Sequence, residues 1–177
     1  MLGLALSDLC ISLNRLLDAG PKVRWDWLAP MAAVVAFLKI ITQWWVWFGA
    51  ARFANGVTFE MFVLLIVAVV LLFLLAAAAL PDRVDESQID LRAYYAQVSR
   101  RYWLLFAAHY VVTDAVNLWV RMEVAGVKLT GDLALFLFYP AAAVALAFFR
   151  SRFVHTVSLA LLIGLYLTQS AGHALGR

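Results

Sequence analysis

Apolar residues run along this chain in long unbroken stretches, and polar residues gather in short breaks between them. Backbone amides in hydrocarbon must bond within their own segment, so apolar runs of about 20 residues predict membrane-spanning helices. Five such runs stand out: Trp27–Phe48, Thr58–Leu80, Tyr102–Val120, Leu133–Phe149 and Phe153–Ala174. A sixth, Met1–Leu17, is just long enough to cross a thin core at about 1.5 Å per residue. It lacks a basic leading region, contains Asp8 and Asn14, and has no small-residue cleavage site before a soluble domain. It therefore predicts a short span rather than a signal peptide. Outer-membrane strands alternate apolar and polar residues over about ten positions, and runs such as Met61–Leu80 do not. The pattern predicts an all-α, polytopic transmembrane helix bundle of five to six spans, with residues 1–177 forming one membrane domain.

The breaks give the orientation. One set of loop ends carries Arg15, Lys22, Arg24, Arg83, Arg92, Arg100, Arg101, Arg150 and Arg152, and the other carries Arg52, Arg121, Lys128 and Arg177. Nine basic residues against four place the first set in the cytoplasm, and both chain ends then fall outside it. Trp25, Trp27 and Trp103 mark inner span ends; Trp44, Trp45, Trp47 and Trp119 mark outer ones. The longest connection, 81–101, opens with Pro81 and Asp82, which stop the preceding helix. Ser87 and Asp90 then have capping-box spacing, and Leu91, Tyr94, Tyr95, Val98 and Tyr102 share one helical face. A helix lying in the cytoplasmic interface and running into the fourth span is the expectation.

Composition agrees with the pattern. Hydrophobic residues make up 66% of the 177 and charged residues 14%, against roughly 45–50% and about 25% in an ordinary globular domain. The net charge of +3 comes with no basic stripe interleaved with aromatics, so no nucleic acid is expected as a partner. Cys10 is the single cysteine, which excludes an intramolecular disulfide and a cysteine-based metal site within one chain. His109, His155 and His173 fall at different depths without a second histidine three or four positions away, so no metal or haem is expected. No H-E-x-x-H, G-x-S-x-G or Walker loop is present, which leaves hydrolase and nucleotide chemistry without machinery. No cofactor is expected.

Ionisable groups inside a bilayer cost roughly 2.5–3.5 kcal/mol on insertion scales, so each one asks for a reason. Lys39 lies twelve residues into the second span and Asp114 twelve residues into the fourth. Both spans start from the cytoplasmic side, which puts both groups about 18 Å deep and makes them natural partners. Tyr110, Asp114, Asn117 and Arg121 fall in one helical stripe, with Leu105, Ala108, Val112 and Val116 on the far side. In the second span Ala32, Ala36, Lys39 and Gln43 share a face whose small residues permit close helix approach. Asp8, in the first run, is a rival partner for Lys39. Pro140, after Tyr139, bends the fifth span and can help line a cavity. Such a polar layer serves either to register a bundle or to carry a proton, an ion or a polar substrate; the spacing alone leaves both open.

Several short motifs carry a resemblance. Gly3-Leu-Ala-Leu-Ser-Asp8, Trp25-x-Trp27-Leu, Gln43-Trp44-Trp45 and Asp90-Leu-Arg92-x-Tyr94-Tyr95 resemble small inner-membrane proteins of proteobacteria with no established activity. The resemblance implies an inner-membrane location and additional residues ahead of the Gly-Leu-x-Leu run. The functional expectation is a small transporter-like or channel-like protein using the Lys39/Asp114 layer, surrounded by lipid and self-associated as a homo-oligomer. The rival expectation is an accessory or assembly subunit bound to a larger membrane-protein partner. A cavity reaching Asp114 would favour the first.

Overall fold

The computed structural model describes residues 2–50, 58–82, 88–123 and 133–175. Among them are six α-helices: α1 (Leu2–Ala19), α2 (Leu28–Ala50), α3 (Phe59–Ala79), α4 (Leu91–Glu123), α5 (Leu133–Phe148) and α6 (Arg152–Leu175). Each overlaps one of the six expected runs, with α4 starting eleven residues before the run Tyr102–Val120. Three contain stretches long and apolar enough to cross a membrane: Leu28–Phe48, Phe59–Ala79 and Leu91–Val120. The other three described helices do not meet that standard, for identifiable reasons. Asn14, Arg15 and Asp18 interrupt α1, α5 is 16 residues with Pro140 inside it, and the described apolar stretch of α6 is Arg152–Thr168.

Local chemistry sets the helix ends. Asp26 Oδ1 accepts from the Leu28 amide at 3.2 Å to start α2, and Thr58 Oγ1 accepts from Met61 to start α3. Asp90 Oδ1 accepts from the amides of Arg92 at 2.8 Å and Ala93 at 3.2 Å, a cap that satisfies two orphan donors of α4. Ser87, the expected cap, lies outside the described residues; the structure gives the role to Asp90.

The helix expected in the 81–101 connection forms the first turns of α4 and runs without a break into the fourth apolar run. α4 is one 33-residue helix, about 50 Å long at 1.5 Å per residue, and its first turns pack on the bundle. Leu91 and Tyr95 are buried. The Tyr94 hydroxyl donates to Ala78 O at 3.3 Å, and the Tyr95 hydroxyl meets His155 Nδ1 at 2.9 Å. The apolar face read as a bilayer face therefore covers protein, because its two phenolic tips find partners on α3 and α6.

α4 is the central helix, packed chiefly on α3 and α5, while α2 joins α3 and α6, and α1 covers α3. The α1 face Ala5, Leu9, Ser12 and Leu16 is buried, at the spacing of a single helical stripe. The basic ends meet at one end of the bundle. Val23 and Ile89 pair there in a two-residue parallel bridge, Arg15 donates to Asp82 O at 2.8 Å, and Arg152 pairs with Asp26. Residues 20–27, 80–82, 88–90 and 149–151 thus lie together at that end. Arg52, Arg83, Lys128, Asp132 and Arg177 lie outside the described residues.

Much of the outer surface is apolar. On α3, Phe59, Phe62, Val63, Ile66, Val67 and Val70 are exposed, and on α2 so are Val34, Phe37, Ile41 and Trp45. Soluble monomers rarely expose contiguous apolar patches larger than a few hundred Å2. Cys10 is exposed on α1 rather than enclosed in the core.

At the basic end the core closes around an aromatic knot. Trp103, Tyr102 and Phe106 are fully buried, with Tyr102 edge-on to Trp103 at 5.5 Å and its hydroxyl donating to Ala32 O at 2.9 Å. His155 Nδ1 faces Tyr95 Oη and Trp103 Nε1 at 2.9 and 3.2 Å, and Nε2 lies 2.9 Å from Phe149 O. The Phe149 carbonyl calls for a proton on Nε2, and the Trp103 Nε1–H is shared between His155 Nδ1 and Tyr95 Oη at 3.2 and 3.3 Å.

Candidate functional site

A cleft of about 190 Å3 opens midway along the bundle, lined from five helices. α2 contributes Lys39, Thr42 and Gln43; α4 contributes Tyr110, Thr113, Asp114 and Asn117; α3, α5 and α6 add Ala68, Tyr139 and Tyr166. The stripes explain the arrangement. Ala32 and Ala36 are fully buried, so α2 approaches its neighbours closely and turns Lys39 and Gln43 inward on the same face. On α4, Tyr110, Asp114 and Asn117 follow at one-turn intervals and reach the cleft together.

Lys39 is 8% exposed. Its ammonium stands 3.9 Å from the centroid of the Tyr110 ring, a cation–π contact that contributes about 2 kcal/mol when desolvated. Asp114 is its electrostatic partner, but the direct ion pair expected from equal depth is not formed: among the described residues, the ion pairs within 4.0 Å are Arg24–Asp90 and Arg152–Asp26. The ring of Tyr110 takes the place beside the ammonium, and the two charges share the cleft without contact. Asp114 Oδ2 is buried and has no hydrogen-bond partner. Asp114 as a whole is only part-buried, and an acceptor without a protein partner costs about 1–3 kcal/mol unless solvent or another polar group meets it.

Tyrosines organise the rest. Tyr110 Oη and Tyr166 Oη are 2.7 Å apart, and the rings of Tyr110 and Tyr139 stack at 5.3 Å. The hydroxyls of Thr42 and Thr113 bond back to Leu38 O and His109 O in their own helices, which leaves their outer lone pairs toward the cleft. His109 is fully buried; its Nδ1 lies 3.0 Å from Ala68 O and its Nε2 is unpartnered.

The sequence-derived residues divide clearly. Lys39, Gln43, Tyr110, Asp114 and Asn117 line one cleft. Asp8 does not join them: its charged neighbours are Asp82 and Arg15, at the basic end, so it is no partner for Lys39. Arg121 continues α4 beyond the cleft, and its side chain lies outside the described residues, as does that of His173. Val116, placed by the helical wheel on the far side, is buried and lines the same cleft, because α4 is enclosed by neighbours on more than one face. Sequence reasoning missed Tyr139, Tyr166 and His109. The available signal was position: each is a polar-tipped ring in mid-run rather than at a run's end, where tyrosine usually marks an interface.

Among the described residues no group of three or more His, Cys, Asp or Glu side chains could hold a metal ion. Chemically, the cleft offers a cation, a carboxylate, two amides and three phenols in a low-dielectric setting. Such a set can hold a small polar solute or pass a proton, and it contains no nucleophile–base pair. No protein-family model, curated protein or solved structure matches this chain.

Proposed function

We propose that this chain is a multi-span inner-membrane protein of transporter-like or channel-like type, and that the Lys39–Asp114 cleft is where it handles a proton, an ion or a small polar solute. The observation that carries this reading is Asp114 Oδ2, a buried and unpartnered acceptor in a cavity whose opposite charge is held apart on Tyr110. A purely structural pair gains most by direct contact, since separation forfeits the attraction that offsets desolvation. Held apart, the two groups leave room between them for something else. The exposed apolar surfaces of α2 and α3 suit lipid, and α1, α5 and α6 complete five or six spans, with α5 crossing where the bilayer thins locally. The Arg-rich end is the cytoplasmic end, both chain termini lie opposite, and the chain self-associates.

Two measurements test the reading. In proteoliposomes with an entrapped pH indicator, the native chain should dissipate an imposed proton or ion gradient faster than empty vesicles. The Lys39→Met/Asp114→Asn double variant, folded by its elution and melting behaviour, should not. A small charged thiol reagent should also label Thr42→Cys and Asn117→Cys in a Cys10→Ser background. If the double variant conducts as the native chain does and neither cysteine reacts, the cleft is only structural.

The topology has its own test. With Cys10 replaced by Ser, cysteines at Asn55 and Ser87 should react with an impermeant reagent from opposite sides of the membrane, Ser87→Cys from the cytoplasm. Reaction of both from one side would overturn the orientation.

A further inference from the structure

A second and larger cleft, about 660 Å3, lies at the basic end between α4 and the connection from α5 to α6. Four arginines from three separate segments converge on it: Arg92 and Arg100 from α4, Arg150 from the connection, and Arg152 from the start of α6. Loop charge alone would scatter these side chains; here they line one concavity, with His155 and Tyr95 among its walls.

The cleft is unbalanced in charge. Asp26 neutralises Arg152, whereas Arg92, Arg100 and Arg150 form no ion pair among the described residues. Three of one sign around one cavity repel one another, and they remain together most readily when an anion is shared. Two of the four are also held in place. The Arg100 guanidinium lies 4.9 Å from the Phe148 ring, and that of Arg152 lies 5.5 Å from Trp27 while it pairs with Asp26. Arg100 is thus a stacked, pre-positioned and unpaired fork, which loses less entropy on binding and matches two oxygens of a phosphate at a time. Arg152, held by Asp26, adds its positive charge to the wall of the cleft. A carboxylate ligand would use one fork and leave the others repelling.

The surroundings are amphipathic. Phe148 and Phe149 line the basic cleft with rings that are 62% and 57% exposed. A shallow groove shares Gln97 and Arg100 with the cleft and continues along α4 past Arg101 to Leu104 and Leu105. A charged pocket running into an apolar track fits a phosphate attached to a hydrocarbon chain better than a free ion, and basic pockets between helices at the cytoplasmic face are known to hold acidic headgroups.

We propose that the Arg92–Arg100–Arg150–Arg152 cleft binds a phosphate-bearing anion, namely the headgroup of an anionic phospholipid, whose acyl chain lies along Leu104 and Leu105. The phosphate site stands on the arginine geometry, and its assignment to a lipid rests on the membrane reading given above.

The full chain in mild detergent, probed by native mass spectrometry with added phosphatidylglycerol or phosphatidylcholine, tests this. The native chain should retain phosphatidylglycerol preferentially. Arg92→Gln, Arg100→Gln and Arg150→Gln should each weaken retention, roughly tenfold for one lost charge-assisted contact, and Arg100→Lys should recover only part of the loss. A Lys22→Gln/Arg24→Gln control removes two positive charges from the same end outside the cleft and should retain lipid normally. Equal loss in that control would reduce the effect to general surface charge and overturn the site, as would equal retention of the two lipids by the native chain. Inorganic phosphate and glycerol phosphate form the second arm. If they compete fully with phosphatidylglycerol at comparable concentration, the phosphate site survives and its lipid assignment fails. Because no transport assay is involved, these outcomes are independent of the Lys39–Asp114 cleft.

Discussion

Asp114→Asn should be the most damaging single change in the mid-bundle cleft, and adding Lys39→Met should restore much of what it loses. Lys39 is 8% exposed and has Asp114 as its electrostatic partner. Without that carboxylate the ammonium keeps only the Tyr110 face at 3.9 Å. Stranding a buried charge typically costs about 3–5 kcal/mol, and the surviving cation–π contact puts this case near the lower end, about 3 kcal/mol. In a chain of this size that corresponds to a melting temperature lower by about 6–12 °C. Lys39→Met removes the stranded charge and keeps the side chain's length, so the double variant should lie within about 1–2 kcal/mol of the native chain. Thermal melting of the four proteins in one detergent measures the coupling. Strict additivity would mean that the two charges do not feel one another across the cleft.

Trp103→Ala should unfold the basic end more severely than any change in the cleft. Trp103 is fully buried, packs edge-on against Tyr102, Phe106 and His155, and directs Nε1 toward both Tyr95 Oη and His155 Nδ1. A large-to-small change at such a position costs about 3–5 kcal/mol through lost contacts and the cavity left behind. The loss of an N–H shared by two acceptors adds roughly 1 kcal/mol. Trp103→Phe separates the two contributions: it keeps most of the ring and gives up the donor, so about 1–2 kcal/mol should be lost. The expected order in thermal melting is native, then Phe, then Ala. A Phe variant as unstable as Ala would show that the hydrogen bonds, rather than the packing, hold α4 to α6.

The effects differ in kind because the two regions are built differently. Around His155 each polar tip has its partner inside the protein, so the knot fixes geometry. Around Asp114 one acceptor has no partner among the described residues, and the two charges share the cleft without contact.

The sequence by itself determined which residues are helical and which helix ends gather together. An amide in hydrocarbon has no outside partner, so run length translates directly into helix, and loop arginines sort the ends into two groups. It also determined that Lys39, Gln43, Tyr110, Asp114 and Asn117 belong at one level, because helical rise converts residue count into depth. Tertiary packing decided the rest. Equal depth leaves open which groups touch, and Tyr110, one turn before Asp114, stands against the Lys39 ammonium. A helical wheel marks an apolar face without saying whether lipid or protein covers it, and the face of Leu91 and Tyr95 proved to cover protein because α3 and α6 offered acceptors to Tyr94 and Tyr95. The arginines of the basic end appear in sequence only as scattered loop charges. Their convergence on one cleft comes from α4 running past the turn between α5 and α6, a juxtaposition set by long-range packing that no local pattern encodes.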